Sequence, residues 1–383
     1  MAIHKAPGVY VIEQPTVAPI VGVGTSTPAF IGVYDATVAT AENVVEYCTN
    51  FTEFAKKFGG YTDKVAGQNT LAIAVRGFFT NGGSGCYVVR VKSEGAIDAA
   101  LAALEAYDDV AMVAAPGVPA DIAAPGAIDK IVAHCAQMGD RIAILDAPNV
   151  PIGELDKALP PTASAPYTAT DFAALYAPWL VVVDPNDPDG KKELTVPPSG
   201  HIAGIYARTD ATRGVHKAPA NEVVRGILRL SQRISRAQQE KINLVGGNCI
   251  RNMDGANKVW GARTLAGDGG TRAAWKYVPI RRLMCFLAKS IDHGTQWAVF
   301  EPNGEDLWAK LVRNIGSFLE GAWAQGMLAG TSPQEAFYVK CDAENNPPDE
   351  RAKGYLYIDV GVAVLYPAEF VEIRIQHQSS LAK

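Results

Sequence analysis

The chain has 383 residues, 48% of them hydrophobic and 20% charged, with a formal net charge of −5. That length allows about two or three domains with sizeable cores, and the acidic balance argues against a dedicated nucleic-acid binder. No apolar run approaches the ~18 residues of a membrane helix, and Pro7-Gly8 falls where a signal peptide needs its apolar core. Six scattered cysteines with no Cys-x-x-Cys pair fit reduced thiols better than a disulfide framework or a zinc site.

Residues 1–24 read as an extended arm, because little in them can bury itself. Within it 8–13 has the pattern of a short strand carrying Val9, Tyr10, Val11 and Ile12, bounded by Pro7 and Pro15. A frayed terminus is the plainer alternative. Residues 28–33 predict a buried strand, 50–58 a short helix stopped by Gly59-Gly60, and 71–79 an apolar helix. Asn81-Gly-Gly-Ser-Gly85 then turns the chain into the strand 86–91. This loop follows a helix and precedes a strand, the reverse of a phosphate cradle.

From residue 94 the pattern alternates: helix 96–104, strand 110–114, helix 127–138, strand 141–145, helix 171–176, strand 179–183. Such alternation predicts parallel strands with helices on the faces. Residues 184–198 read as a surface loop. A long helix is predicted over 221–241, on which Arg225, Arg229, Arg233 and Arg236 form one basic stripe. The stripe reads either as a solvated face or as a docking surface for an acidic partner. Residues 251–274 read as a glycine-rich loop.

The last hundred residues organise the rest. After Trp297-Ala-Val-Phe-Glu-Pro-Asn303 a helix opens with Glu305 and Asp306 in its first turn, which suits the helix dipole. Leu307, Leu311, Ile315, Phe318 and Leu319 form its apolar stripe, and Lys310 and Arg313 lie one turn apart on its polar face. Gly330 supplies a stop, and Ser332-Pro333-Gln334-Glu335 reads as a capping box. Two alternating runs follow, 355–365 and 369–378. In the second, Val371, Ile373 and Ile375 point one way and Glu372, Arg374 and Gln376 the other. A half-apolar strand near a chain end has to pair with its own sheet or with a neighbouring molecule.

One constellation suggests hydrolysis. Ser199-Gly-His-Ile-Ala-Gly204 is similar to the histidine segment of subtilisin-type proteases, Gly24-Thr-Ser-Thr-Pro28 to their nucleophile segment, and Asp146 ends a predicted strand. A triad needs a serine whose proton the histidine takes and a carboxylate that orients the imidazole. The order Ser26, Asp146, His201 is wrong for that family, which leaves His201 as a residue that hydrogen-bonds near a sheet end. Gly22-Val-Gly24 lacks the third glycine of a dinucleotide fingerprint, there is no HExxH or Walker motif, and His134 sits on an apolar helix where packing is its expected role. No catalytic, cofactor-binding or metal-binding residue is assigned.

Several blocks, in order, resemble the sheath proteins of contractile tails, from phages and contractile injection particles. They are Pro7-Gly-Val-Tyr10, Ala74-Val-Arg-Gly-Phe-Phe79, Tyr87-Val-Val-Arg90, Pro197-Pro-Ser-Gly-His-Ile-Ala-Gly-Ile-Tyr-Ala-Arg208, Trp260-Gly-Ala-Arg-Thr-Leu265, Trp297-Ala-Val-Phe-Glu-Pro-Asn303, Ala336-Phe-Tyr-Val339 and Pro367-Ala-Glu-Phe-Val371. The resemblance implies an α/β fold: an outer α/β domain of subtilisin-like outline without proteolysis (25–274), an α+β inner domain (275–366), and terminal strand arms (1–24 and 367–383). It implies stacked hexameric rings that form a helical homo-oligomer around an inner tube and contract to drive that tube through an envelope. Further implied partners are the baseplate and a tail-terminator or cap protein, with no nucleic acid, no cofactor and no direct membrane insertion, and with assembly in the bacterial cytoplasm. Neighbours would exchange strands through Val9, Tyr10, Val11, Ile12, Val371, Ile373, Arg374 and Ile375. Lys310 and Arg313 would meet the tube, with Arg225, Arg229, Arg233 and Arg236 as a secondary basic surface. The competing classes are a soluble α/β hydrolase-like enzyme and a non-contractile shell protein.

Overall fold

A computed structural model describes residues 18–33, 40–61, 68–92, 96–117, 126–155, 170–267 and 270–372. The chain divides into two compact units, 23–289 with 364–383, and 1–22 with 290–363. The larger runs β1 (Pro28–Val33), β2 (Val45–Cys48), α1 (Phe51–Phe58), α2 (Gln68–Thr80), β3 (Cys86–Val91), α3 (Ile97–Leu104), β4 (Met112–Ala114), α4 (Gly126–Met138), β5 (Ile142–Asp146), α5 (Ile152–Leu155), β6 (Ala173–Ala177), β7 (Leu180–Val183), β8 (Glu193–Val196), α6 (Ser199–Arg213), β9 (Glu222–Val223), β10 (Arg229–Leu230), α7 (Arg236–Leu244), β11 (Gly247–Met253), β12 (Ala256–Trp260) and α8 (Val278–Thr295), which continues into the smaller unit. The smaller adds α9 (Glu305–Ala324), α10 (Pro333–Ala336), β13 (Phe337–Lys340), α11 (Pro348–Ala352) and β14 (Asp359–Val362).

The main sheet has nine described strands in the order β2-β3-β1-β4-β5-β6-β11-β12-β9. The six from β3 to β11 are mutually parallel, and β2, β12 and β9 are antiparallel at the margins. Side chains alternate between two cores, as a sheet covered on both faces requires. Phe30 enters the core with α1, α2 and α6, while Ala29 and Ile31 enter the one with α3 and α4. Both marginal strands are short and carry a paired carboxylate. In β2, Glu46 meets Lys57 at 3.0 Å, and in β9, Glu222 meets Arg208 at 3.3 Å.

Four predicted elements are corrected. Where a helix is predicted over 171–176 the chain forms β6 (Ala173–Ala177): a five-residue run buried on both faces has no periodicity to separate the two. The helix over 221–241 does not form before Arg236. Asn221 and Gly226 take positive φ angles of 60° and 79°, and Ser235 and Gln238 close a capping box that starts α7. The loop over 251–274 contains the β11–β12 hairpin, turned at Asp254-Gly255 with φ of 52° and 82°, the pairing a two-residue hairpin turn favours. Part of the predicted loop 184–198 is β8, which pairs with β7 in a separate antiparallel sheet with β10.

In the smaller unit α9 buries Leu307, Leu311, Ile315 and Leu319 at four-residue spacing. Leu307, Trp308 and Leu311 pack with Cys341, Trp297 and Leu356. The chain reaches this unit through buried Ile20, which lies so close to Gly294 that a Cβ there would come within 2.5 Å of it. Ser332 is the N-cap of α10, but its side chain makes no capping bond; Glu335 instead accepts from the Thr331 N–H and hydroxyl, at 2.8 and 2.9 Å.

In the larger unit α2 and α6 cross with backbone close to backbone. A Cβ at Gly200 would lie 2.4 Å from the Ala74 backbone, and one at Gly204 would lie 2.4 Å from the Phe78 carbonyl oxygen. One methyl group here forces two helices apart, so Gly204→Ala is expected to cost about 1–3 kcal/mol. Urea denaturation should show a lower midpoint with an unchanged slope; an unchanged midpoint would refute the close crossing.

Candidate functional site

The three triad candidates lie in three different settings. Asp146 ends β5 and accepts from the Ser199 N–H at 2.7 Å and the Ser199 hydroxyl at 2.6 Å, so it caps the N-terminus of α6. Burial pushes its pKa up to about 7, against the opposing effect of the two Ser199 hydrogen bonds. His201 is buried one turn along, its Nδ1 has no hydrogen-bond partner, and desolvation lowers its pKa to about 4. Its ring fills the space beside Gly77, where a Cβ would come within 2.5 Å of it. The hydroxyl of Ser26 donates to Asp210 at 3.4 Å. Serine and carboxylate thus bond elsewhere, the histidine is packed beside Gly77 with its Nδ1 unpartnered, and the three form no proton relay. The subtilisin-like segment is a helix-packing surface.

Two buried arginine–carboxylate clamps hold the chain where it approaches its ends. Arg282 on α8 donates to both oxygens of Asp210 on α6, at 2.8 and 2.5 Å, and both side chains are 4% exposed. Thr25 joins them: its hydroxyl donates to Asp210 at 2.7 Å and its carbonyl accepts from Arg282 at 2.9 Å. The second clamp holds Glu369. Arg263 donates to both of its oxygens at 2.8 Å, Asn243 to one and the Tyr277 hydroxyl to the other, each also at 2.8 Å. Burial alone would raise the Glu369 pKa. The hydrogen bonds from Arg263, Asn243 and Tyr277 outweigh it and hold the carboxyl below its ordinary value. Directly after this anchor Phe370 and Val371 are 74% and 78% exposed.

The predicted surface residues separate into groups. Lys310 and Arg313 are both exposed on α9. Arg225, Arg229, Arg233 and Arg236 share no helix face: Arg229 lies in β10 and pairs with Glu193, while Arg236 opens α7 and pairs with Glu240. Val9, Tyr10, Val11, Ile12, Ile373, Arg374 and Ile375 lie outside the described residues. Val371 is described and is in no strand. The smaller unit carries a sheet of two described strands, β13 and β14, with Tyr338 opposite Gly361. The Tyr338 ring covers that glycine so closely that a Cβ would meet it at 2.1 Å. Sequence reasoning missed the Glu369 clamp, although Arg263 and Glu369 stand in two of the blocks that carried the resemblance.

The family of the phage tail sheath protein central domain matches residues 91–265, and that of the phage tail sheath C-terminal domain matches 271–378. A protein of Pseudomonas aeruginosa (strain UCBPP-PA14), named as a prophage major tail sheath protein, is 26% identical over 275 residues. These are 69% of this chain and 64% of that relative's length. The sheath complex of an extracellular contractile injection system, PVC, solved in its contracted state, is 28% identical with a TM-score of 0.79 and covers 99% of each chain. The helical sheath of the anti-feeding prophage, also contracted, is 27% identical with a TM-score of 0.79, over 98% of this chain and 100% of that one. A sheath tail protein of Listeria innocua shares the fold at 10% identity and a TM-score of 0.62, over 90% of this chain and 96% of that one.

The buried imidazole gives a signed pH effect. Its folded pKa of about 4 lies below the ordinary histidine value near 6.5. Between these values the unfolded chain binds a proton that the folded chain excludes. The associated stability is present above about pH 6.5 and is lost as pH falls toward 4, by about 3 kcal/mol in full. Urea unfolding at about pH 7 and about pH 4.5 should therefore show a smaller acid loss in His201→Gln than in the unaltered chain. Equal losses would mean that His201 is not held neutral by the fold.

Proposed function

The chain belongs to the phage tail sheath family, whose members matched above are structural proteins and not enzymes, and from that membership we propose that it polymerises as stacked hexameric rings around an inner tube and shortens to drive the tube through a target envelope. The particle would be a phage tail or contractile injection machine, assembled in the bacterial cytoplasm, with the baseplate and a terminator or cap protein at the ends of the polymer. Relatives solved as a sheath complex, as a helical sheath and within a baseplate support this reading. No described helix is long and apolar enough to cross a membrane. In this reading the larger unit is the outer domain, and its Asp146–α6 contact is the remnant of a subtilisin-like outline.

One observation carries the mechanism. The smaller unit displays a sheet of only two described strands, while the chain emerges from the Glu369 clamp with Phe370 and Val371 exposed. An isolated strand pair is marginal in water, and an alternating apolar strand gains backbone partners and burial by joining a sheet edge. Each subunit would then lend strands through Val9, Tyr10, Val11 and Ile12 and through Val371, Ile373, Arg374 and Ile375, and would accept those of its neighbours on β13 and β14. The clamps keep the strand roots fixed while the bodies turn. Removing residues 1–14, or 373–383, spares both clamps and is expected to leave a folded chain that forms no tubes in negative-stain micrographs. Sheaths of normal geometry from either truncation would rule out strand exchange.

Lys310 and Arg313 supply the contact to the inner tube in this reading, being exposed one turn apart on α9. Each exposed charge contact is weak, but repetition along a polymer makes their sum decisive and still separable on contraction. Reversing both charges (K310E with R313E) should give sheaths that polymerise but stand empty. Variants that still enclose their tube in the extended form would move the contact elsewhere.

A further inference from the structure

Residues 298–301 form a tight turn that the sequence does not favour. The Glu301 N–H donates to the Ala298 carbonyl at 3.2 Å. Val299 has φ −66° and ψ 130°, and Phe300 has φ 68°. This is a type II turn, whose third position calls for glycine or asparagine because φ is positive there. The other described non-glycine residues at positive φ are Asn43, Asn221 and Asp254, of the residue types that tolerate it. A phenylalanine is out of place in that company. It is also fully solvent-exposed at 103%, with Val299 beside it at 57%.

The turn is held from both sides. Trp297 and Ala298 pack on the core of the smaller unit. Asn303 accepts from the Trp308 indole and donates to the Tyr355 carbonyl, both at 2.8 Å. A strained, fully exposed aromatic knob on a braced pedestal is the pattern of a local rule broken for function.

We propose that Phe300 is an anchor that inserts into an apolar recess of a second copy of this chain. The inference rests on the sheath reading above. Helical polymers are built from heterologous contacts, in which a knob on one copy meets a recess on a different face of the next. Charge supports a copy of the same chain as the acceptor. The exposed Glu301, Glu305 and Asp306 follow the knob in sequence, and the larger unit displays exposed Arg213, Arg225 and Arg233. Aromatic residues in desolvated recesses dominate interface energetics, and a turn already fixed loses little freedom on docking.

The test separates strain from contact. Phe300→Gly places the residue favoured by the turn and should melt a few degrees above the unaltered chain, while the concentration needed for tube formation rises at least tenfold. Replacing Phe300 with photoreactive p-benzoyl-phenylalanine should yield sheath–sheath dimers on irradiation of assembled particles. A Phe300→Gly chain that melts lower, or that builds tubes at the unaltered concentration, overturns the proposal, as does crosslinking to the inner tube alone. Tubes formed equally by both chains would sink the anchor and leave the sheath reading intact. An unaltered chain that forms no tubes at any concentration would sink both.

Discussion

A charge buried in protein has to be matched, and two such matches fix where this chain is held. Asp210 with Arg282 lies almost wholly out of water, and Glu369, 18% exposed, meets an Arg263 that is 4% exposed. Removing one member of such a pair leaves an uncompensated charge and typically costs about 3–5 kcal/mol. The bonds also carry geometry: a guanidinium that grips both oxygens of a carboxylate fixes its plane as well as its position. Thr25 and Glu369 are therefore registered against α6, α7 and α8 rather than merely resting on them.

The parts of the fold that were legible in the sequence are those where periodicity and punctuation agree. Asn50 with Gly59 brackets α1, and the spacing from Leu307 to Leu319 marks the buried face of α9. The failures share a cause. β6 is too short and too evenly apolar to show a period, and the arginines from 225 to 236 imitate a helical stripe although Gly226 and Ser235 contradict it. The hairpin turn Asp254-Gly255 was available as a signal and was outweighed by the glycines around it. Among the surface residues, Lys310 and Arg313 were placed on an exposed helical face from spacing alone. The Glu369 clamp was not visible, because its partners lie 92 to 126 residues away and only folding brings them together.

The segment that imitates a protease shows how one arrangement serves two ends. A carboxylate at a strand end facing a helix N-terminus, with small residues along that helix, is what a catalytic histidine would need for access. Here Gly200 and Gly204 admit the backbone of α2 instead, and the space left for the imidazole is closed by Gly77. A buried histidine with no partner on Nδ1 is held neutral near pH 7 and is no proton relay.

The margins of the nine-stranded sheet have a further consequence. Identical subunits at high local concentration invite stray edge-to-edge pairing, the first step toward amorphous aggregation. β2 and β9 guard against it by brevity, at four and two residues, and by the ion-paired carboxylates Glu46 and Glu222. Such blunted edges discourage off-pathway growth, so that the order of the lattice is written partly in the surfaces that refuse to bind.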